Sequence, residues 1–260
     1  MTFEQTVILS AIAGATIFLG LPVGRLRNLT TRTQAILTAG AAGVILFLIW
    51  DVLSQAVEPV EASLEAVSNG EAPTTDFLRD GGALAISLSI GLISLVWFMN
   101  RVRKGRATGL PARDIAIGTA VGLGLHNFSE GLAIGGSAAS GATAFALILV
   151  VGFALHNATE GFGIAAPLTT GERPTWAFLA ALGIIGGGPT FLGGVLGYTF
   201  SSPLLSIVFL GLAAGALIFV FNEMIAVSRR FAQPMSANGA LLLGLVVALG
   251  TDLLLVAAGA

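Results

Sequence analysis

Apolar residues run along this chain in stretches of about 20 or more, with the polar residues confined to short breaks between them. The stretches are apolar on every face rather than along one stripe, the pattern of helices surrounded by lipid or by other helices. At a rise of about 1.5 Å per residue, about 20 apolar residues carry a helix across a bilayer's hydrocarbon core. Read at that length, the chain predicts eight spans, at about 4–24, 33–56, 81–100, 114–138, 142–167, 174–200, 203–227 and 237–258. The expected fold class is all-α: a polytopic membrane protein with eight transmembrane helices, forming a single domain over residues 1–260.

Composition agrees, with 55% hydrophobic and 10% charged residues, against roughly 25% charged in a soluble domain. The chain has no cysteine, which excludes disulfides, thiolate metal sites and cysteine catalysis together. The first residues, MTFEQTVILSA, lack a basic segment and read as part of the first span rather than a cleaved signal. A net charge of −2 gives no reason to expect a nucleic-acid partner. Charge does suggest an orientation. If the N-terminus lies outside, the loops after spans one, three, five and seven lie inside. They hold Arg25, Arg27 and Arg32; Arg101, Arg103, Lys104, Arg106 and Arg113; Arg173; and Arg229 and Arg230, so that of the 12 basic residues Arg79 alone is outside. The positive-inside rule thus favours eight spans with both termini outside. The segment between spans two and three carries Glu58, Glu61, Glu65, Glu71, Asp76 and Asp80. It reads as a cation-attracting mouth or, more simply, as a solvated acidic loop turning at NGEAP.

The candidate chemistry is concentrated in two near-copies, LGLHNFSEGLAIG from Leu123 and FALHNATEGFGIAAP from Phe153, which contain both histidines of the chain. Positions i and i+4 share a helix face, so His126 and Glu130 point the same way, as do His156 and Glu160. A short connection around SAASGA makes spans four and five expected antiparallel neighbours. Two imidazoles and two carboxylates would then converge as a ligand set for a divalent first-row metal. Asn127 and Asn157, about 100° around their helices, would add amide oxygens to the same ion or line a second position. Hydrogen bonding between helices is the plain alternative. It does not explain two carboxylates at mid-membrane depth, where an unpaired charge costs a few kcal/mol or more, in spans that hold no Lys or Arg. A membrane metalloenzyme, such as an intramembrane metal-dependent hydrolase, would need an open coordination position and a base, which this set could also supply. Haem between the two histidines would require neither glutamate.

These residues resemble the ZIP (Zrt/Irt-like) family of divalent-metal transporters, in its prokaryotic form, whose spans four and five each carry HNxPEG; here the pair reads HNFSEG and HNATEG. AAGALIFVFNEMIA in span seven is similar to a further family segment, and the likeness is strongest from about residue 115 to 228. The resemblance implies a single transmembrane transporter domain in the plasma membrane, not an enzyme, that carries divalent metal ions into the cytoplasm. The cargo would be zinc first, with iron, manganese, cobalt or cadmium as others, and no organic cofactor. It implies His126, Glu130, His156 and Glu160 as primary metal ligands, Asn127 and Asn157 as flanking ligands, and Glu223 as a carboxylate on the inner half of the route. Expected partners are the lipid bilayer, the metal ions and a second copy in a homodimer, with no nucleic acid.

The chain departs from the family pattern at three places. Ser129 and Thr159 replace the motif prolines, so the helices are expected to be straighter, with hydroxyls free to ligate or to bond the preceding turn. Gly188 precedes Pro189 where many members have a glutamate, which favours a single ion. The loop RVRKGRATGLPAR contains no histidine. Elsewhere, Asp51 closes span two beside Trp50 and Asp252 lies late in span eight; Asp51 and Glu223 are expected pathway residues, while Asp252 reads equally as part of a local kink after Gly250 and Thr251. Gly193 and Gly197 suit close helix packing, Pro189 offers a hinge, and Trp97 and Trp176 fit an interfacial aromatic belt.

Overall fold

Helix starts are written into the chain as hydroxyl caps. Thr2 forms a capping box with Gln5, Thr30 accepts from the Thr33 amide, Thr175 from Phe178, and Ser202 from Leu205 ahead of Pro203. The computed structural model describes residues 1–27, 29–103, 111–170, 172–200 and 202–258. Within helices, the side chains of Phe98, Met99, Val102, Arg103, His156, Phe231, Leu254, Leu255, Val256 and Ala258 lie outside that description, as do Lys104 and Arg106 of the basic loop.

Among the described residues there is no strand, and eight long helices follow one another. They are α1 (Phe3–Ala15), continued by 3₁₀ turns to Arg25, α2 (Thr31–Ser68), α3 (Thr74–Arg103), α4 (Ala112–Ala139), α5 (Thr143–Ala165), continued by a 3₁₀ turn to Thr170, α6 (Trp176–Thr199), α7 (Pro203–Phe231) and α8 (Pro234–Ala258). The protein is all-α and polytopic, as expected. Seven of these segments are long and apolar enough to cross a membrane. The eighth, α4, is long enough at 28 residues but carries His126, Asn127, Ser129 and Glu130. Its polar groups are enclosed by other helices rather than by lipid, since all four residues are buried.

The acidic segment after span two is not a loop. α2 runs for 38 residues and carries Glu58, Glu61 and Glu65 within it, a length of about 57 Å that outruns a hydrocarbon core of about 30 Å. Glu, Ala, Leu and Gln are good helix formers, and solvent accepts the charges. The helix stops at Asn69, with Gly70 at φ 74°, so the turn falls in NGEAP as expected. Gly141, at φ 83°, likewise ends α4 and allows the short connection to α5.

The helices associate as two sets of four. α1, α4, α5 and α6 form one; α2, α3, α7 and α8 form the other, and α4 packs more closely on α6 than on α5. Within each set, contacts are made backbone to backbone through glycine. A Cβ at Gly131 would overlap the Thr190 carbonyl, one at Gly193 the Phe128 carbonyl, and one at Gly197 the Leu132 carbonyl. On the other side, Gly43 and Gly244 do the same for α2 against α8. Between the sets, side chains meet instead: Phe128 stacks on Phe209 with centroids 4.3 Å apart, and an apolar crevice of about 450 Å³ separates Phe162 from Val44 and Val247.

The basic residues that are described gather at one end. Arg25 donates to the Pro174 carbonyl and lies 4.4 Å from the Trp176 ring, Arg113 lies 4.3 Å from Phe178, and Arg32 reaches Gln233. Arg79 pairs instead with Asp76 and Asp80 at the start of α3.

The glycine contacts give a test. Gly193→Val should lower stability by about 1–3 kcal/mol or more, because α4 and α6 must separate to admit the side chain. Gly250→Ala should be neutral or slightly stabilising, since nothing lies within 4 Å of a Cβ there. Thermal unfolding of both variants in detergent checks the contrast; equal midpoints would show that the α4–α6 contact is looser than described.

Candidate metal site

The two motifs meet where α1, α4, α5 and α6 converge. On α4, His126 and Asn127 are fully buried, Glu130 is 3% exposed and Ser129 is 7% exposed. On α5, Asn157 and Glu160 are fully buried. His126 Nε2 lies 3.4 Å from Glu130 Oε1, the i,i+4 pairing expected from the spacing. The connection between the helices is direct: Asn127 Nδ2 donates to Glu160 Oε2 at 2.8 Å. The same nitrogen donates to the Gly186 carbonyl of α6 at 3.0 Å. Asn157 Nδ2 donates to the Ala13 carbonyl of α1, also at 3.0 Å.

These bonds orient the two amides. Each nitrogen faces a protein acceptor, so each Oδ1 must point elsewhere, and neither Asn127 Oδ1 nor Asn157 Oδ1 has a hydrogen-bond partner among the described residues. Glu130 Oε2, Ser129 Oγ and Thr190 Oγ1 are likewise without one. A buried acceptor without a donor costs about 1–3 kcal/mol. Several of them, carboxylate oxygen included, fall on or beside the two motifs, and each is a group that a cation or a donor would stabilise. The sequence from Arg113 to Arg173 contains no other Lys or Arg that could serve as that cation.

The structure brings together His126, Asn127, Glu130, Asn157 and Glu160. The side chain of His156 lies outside the described residues, and among those described no group of three or more His, Cys, Asp or Glu is arranged to hold a metal ion. Asp51, half-buried on α2, accepts from Gln55 at 2.9 Å. Its charge is felt at His126, Glu130 and Glu160, and also at Asp252. Asp51 and Asp252 are each half-buried, on α2 and α8. Glu223 is half-buried on α7, about two turns before its end.

Two participants were not legible as side chains. The carbonyls of Ala13, near the end of α1, and of Gly186, within α6, anchor the asparagines. Pro189 has no N–H to offer the Ile185 carbonyl, and Gly124 of α4 comes so close to that oxygen that a Cβ would overlap it. α6 nonetheless runs unbroken from Trp176 to Thr199, so Pro189 interrupts one hydrogen bond and not the helix. Ser129 does not bond the preceding turn, since its Oγ has no partner among the described residues. Glycine and proline in GATIFLGLPVG and IIGGGP were the available signal for both segments.

A family model described as ZIP Zinc transporter matches residues 69–257, well over half of the chain. No curated protein matches it.

The Asn127–Glu160 bond predicts the behaviour of Asn127→Asp. A second carboxyl would stand within hydrogen-bond distance of Glu160 Oε2 in place of the amide donor, and the buried pair must either repel or take up a proton. The metal-free variant should unfold at a lower temperature than wild type, and a saturating divalent ion should recover more of the loss in the variant than it adds to wild type. An unchanged midpoint without metal would show that Asn127 and Glu160 are not in contact.

Proposed function

We propose that this chain, which belongs to the ZIP zinc transporter family and whose function is divalent metal transport across a membrane, holds its ion between α4 and α5. His126, Glu130, His156 and Glu160 are the primary ligands, and the Oδ1 atoms of Asn127 and Asn157 flank them. The observation that carries this reading is the orientation of the two asparagines: both amide nitrogens are committed to protein acceptors while both oxygens are buried without a donor among the described residues. A hydrogen-bonded core has no use for such an arrangement, whereas a cation supplies what the oxygens lack.

Imidazole, carboxylate and amide ligands suit zinc first, then iron, manganese, cobalt or cadmium, and the absence of thiolate disfavours a copper(I) carrier. With Gly188 in place of a carboxylate, one ion per chain is the expected occupancy. The basic end of the bundle faces the cytoplasm of a plasma-membrane protein with both termini outside. On that orientation Asp51, with Asp252, stands on the outer approach and Glu223 on the inner exit, and the ion moves inward. The whole chain acts as one transporter domain.

Uptake by purified protein in proteoliposomes, across a panel of divalent ions, tests this. His126→Ala and Glu160→Ala, correctly inserted, should each reduce flux at least about tenfold, the scale on which metal sites respond to loss of a supporting group. Near-normal flux in both would remove these residues from the site.

The ligands must be deprotonated to hold metal, so protons and metal compete. Imidazole ordinarily titrates near about 6.5 and carboxyl near about 4.3. Metal affinity should therefore be greatest at neutral pH and above, and should fall as pH drops and the ligands take up protons. Calorimetry from about pH 5.5 to 7.5 brackets the imidazole value. Glu130→Gln should bind more weakly and show a flatter pH profile, having one titrating ligand fewer. Affinity independent of pH in both proteins would mean that the ion is held elsewhere.

A further inference from the structure

Where α7 ends and α8 begins, these helices and α2 enclose a cavity of about 420 Å³. Its lining mixes apolar residues, among them Phe221, Ile225 and Leu241, with the polar Asn222, Ser228, Arg229 and Asn238. The lining includes one fixed cation and no carboxylate. Ser228 is 1% exposed, and its Oγ has no hydrogen-bond partner among the described residues. Asn238 commits its amide nitrogen to the Pro234 carbonyl at 2.9 Å, which fixes it at the cavity's edge. The N-terminus of α8, at Pro234, adjoins the same space and adds the positive end of a helix dipole.

Asn222, Ile225 and Arg229 fall at i, i+3 and i+7, so they line one face of α7. Asn222 and Arg229 are both exposed, and seven residues of helix set them about 10 Å apart along the axis. The polar groups therefore occur at two depths, with apolar surface beside and between them. A divalent cation is a poor occupant, because Arg229 repels it and no acid offsets that charge; this cavity is not a branch of the metal route. A small anion would use Arg229 and Ser228 but would leave the apolar residues and Asn222 uncovered. A ligand with an anionic head, a polar shoulder and an apolar tail matches the whole lining.

We infer that this cavity holds one phospholipid with an anionic headgroup, its phosphate on Arg229 and Ser228, its ester region against Asn222, and an acyl chain along Phe221, Ile225 and Leu241. Arg is the side chain best suited to phosphate, to which it presents two parallel donors. Arg230, in the same turn but not in the lining, is the natural control.

The test uses full-length protein stripped of lipid in detergent, with dioleoyl phosphatidylglycerol, dioleoyl phosphatidylcholine or inorganic phosphate added separately. Thermal unfolding and native mass spectrometry are read for each. Phosphatidylglycerol should remain bound at one molecule per chain and raise the unfolding midpoint, while the other two should do neither. Arg229→Gln should weaken phosphatidylglycerol about tenfold, the loss expected for one charge-assisted contact, and Arg230→Gln should not. Asn222→Leu should also weaken it without changing charge, a second variant that does not rely on Arg229. Equal binding of phosphatidylcholine would overturn the headgroup assignment, and the same shift with inorganic phosphate alone would reduce the cavity to an anion site without lipid. Equal losses in Arg229→Gln and Arg230→Gln would reduce it to surface charge.

Discussion

Two carboxylates buried inside a helix bundle set the terms for the rest of this protein. Glu130 and Glu160 are almost completely removed from solvent, on helices whose sequence contains no basic residue between Arg113 and Arg173. Removing an ionised carboxylate from water costs several kcal/mol, even after the surroundings relax. The chain meets part of that cost locally, with His126 one turn from Glu130 and the Asn127 amide on Glu160. The Asn127 bonds to Glu160 and to the Gly186 carbonyl require α4, α5 and α6 to lie within hydrogen-bond reach of one another, and that distance is set by backbone rather than by side chains.

Glycine makes the approach possible. Gly131, Gly193 and Gly197 remove the Cβ atoms that would hold α4 and α6 apart, and Gly161 does the same where α5 meets the 3₁₀ turn after α1. Once backbones are this close, their carbonyls become available to neighbouring side chains, and Gly186 and Ala13 accept from the two asparagines. The site is therefore an outcome of packing as much as of its polar residues. The contact between the two helix sets is of another kind, made by aromatic and aliphatic side chains around an apolar crevice. Interlocked backbone inside each set and side-chain contact between them make each set of four the stiffer unit.

Much of this was readable from the chain because the relevant signals are periodic. Eight apolar runs gave eight helices, and the i,i+4 spacing put His126 beside Glu130. Gly193, Gly197 and Gly131 were recognisable as contact points because small residues have few other uses in an apolar helix. What could not be read was tertiary or contextual. The acidic run after span two was expected to be loop because charge was taken to end the span. Charge ends only the membrane segment, and α2 continues into solvent on its helix propensity. Spans four and five are neighbours, as the short turn between them implied, but glycine on both partners draws α4 tightest to α6, which the turn could not show. The carbonyls that fix the asparagines have no sequence signature of their own.

The proposed ligand set also fixes a charge balance. Two neutral imidazoles and two carboxylates carry two negative charges, and a divalent ion among them leaves the loaded site neutral. A third carboxylate at position 188, where the family pattern often has one, would leave a net charge in a low-dielectric region, unless a second ion or a proton came with it. With Gly188 at that position, the proposed set balances one ion. The amide oxygens of Asn127 and Asn157 complete the shell without adding charge, which is why asparagine rather than aspartate suits those positions when a single divalent ion is carried. The same arithmetic governs release. When the ion departs, two carboxylates remain with no Lys or Arg in the sequence between Arg113 and Arg173, so the empty site is stable only if protons, water or the next ion replace the lost charge. Binding and release are then linked through one electrostatic constraint, the cost of an uncompensated carboxylate at the centre of a bundle.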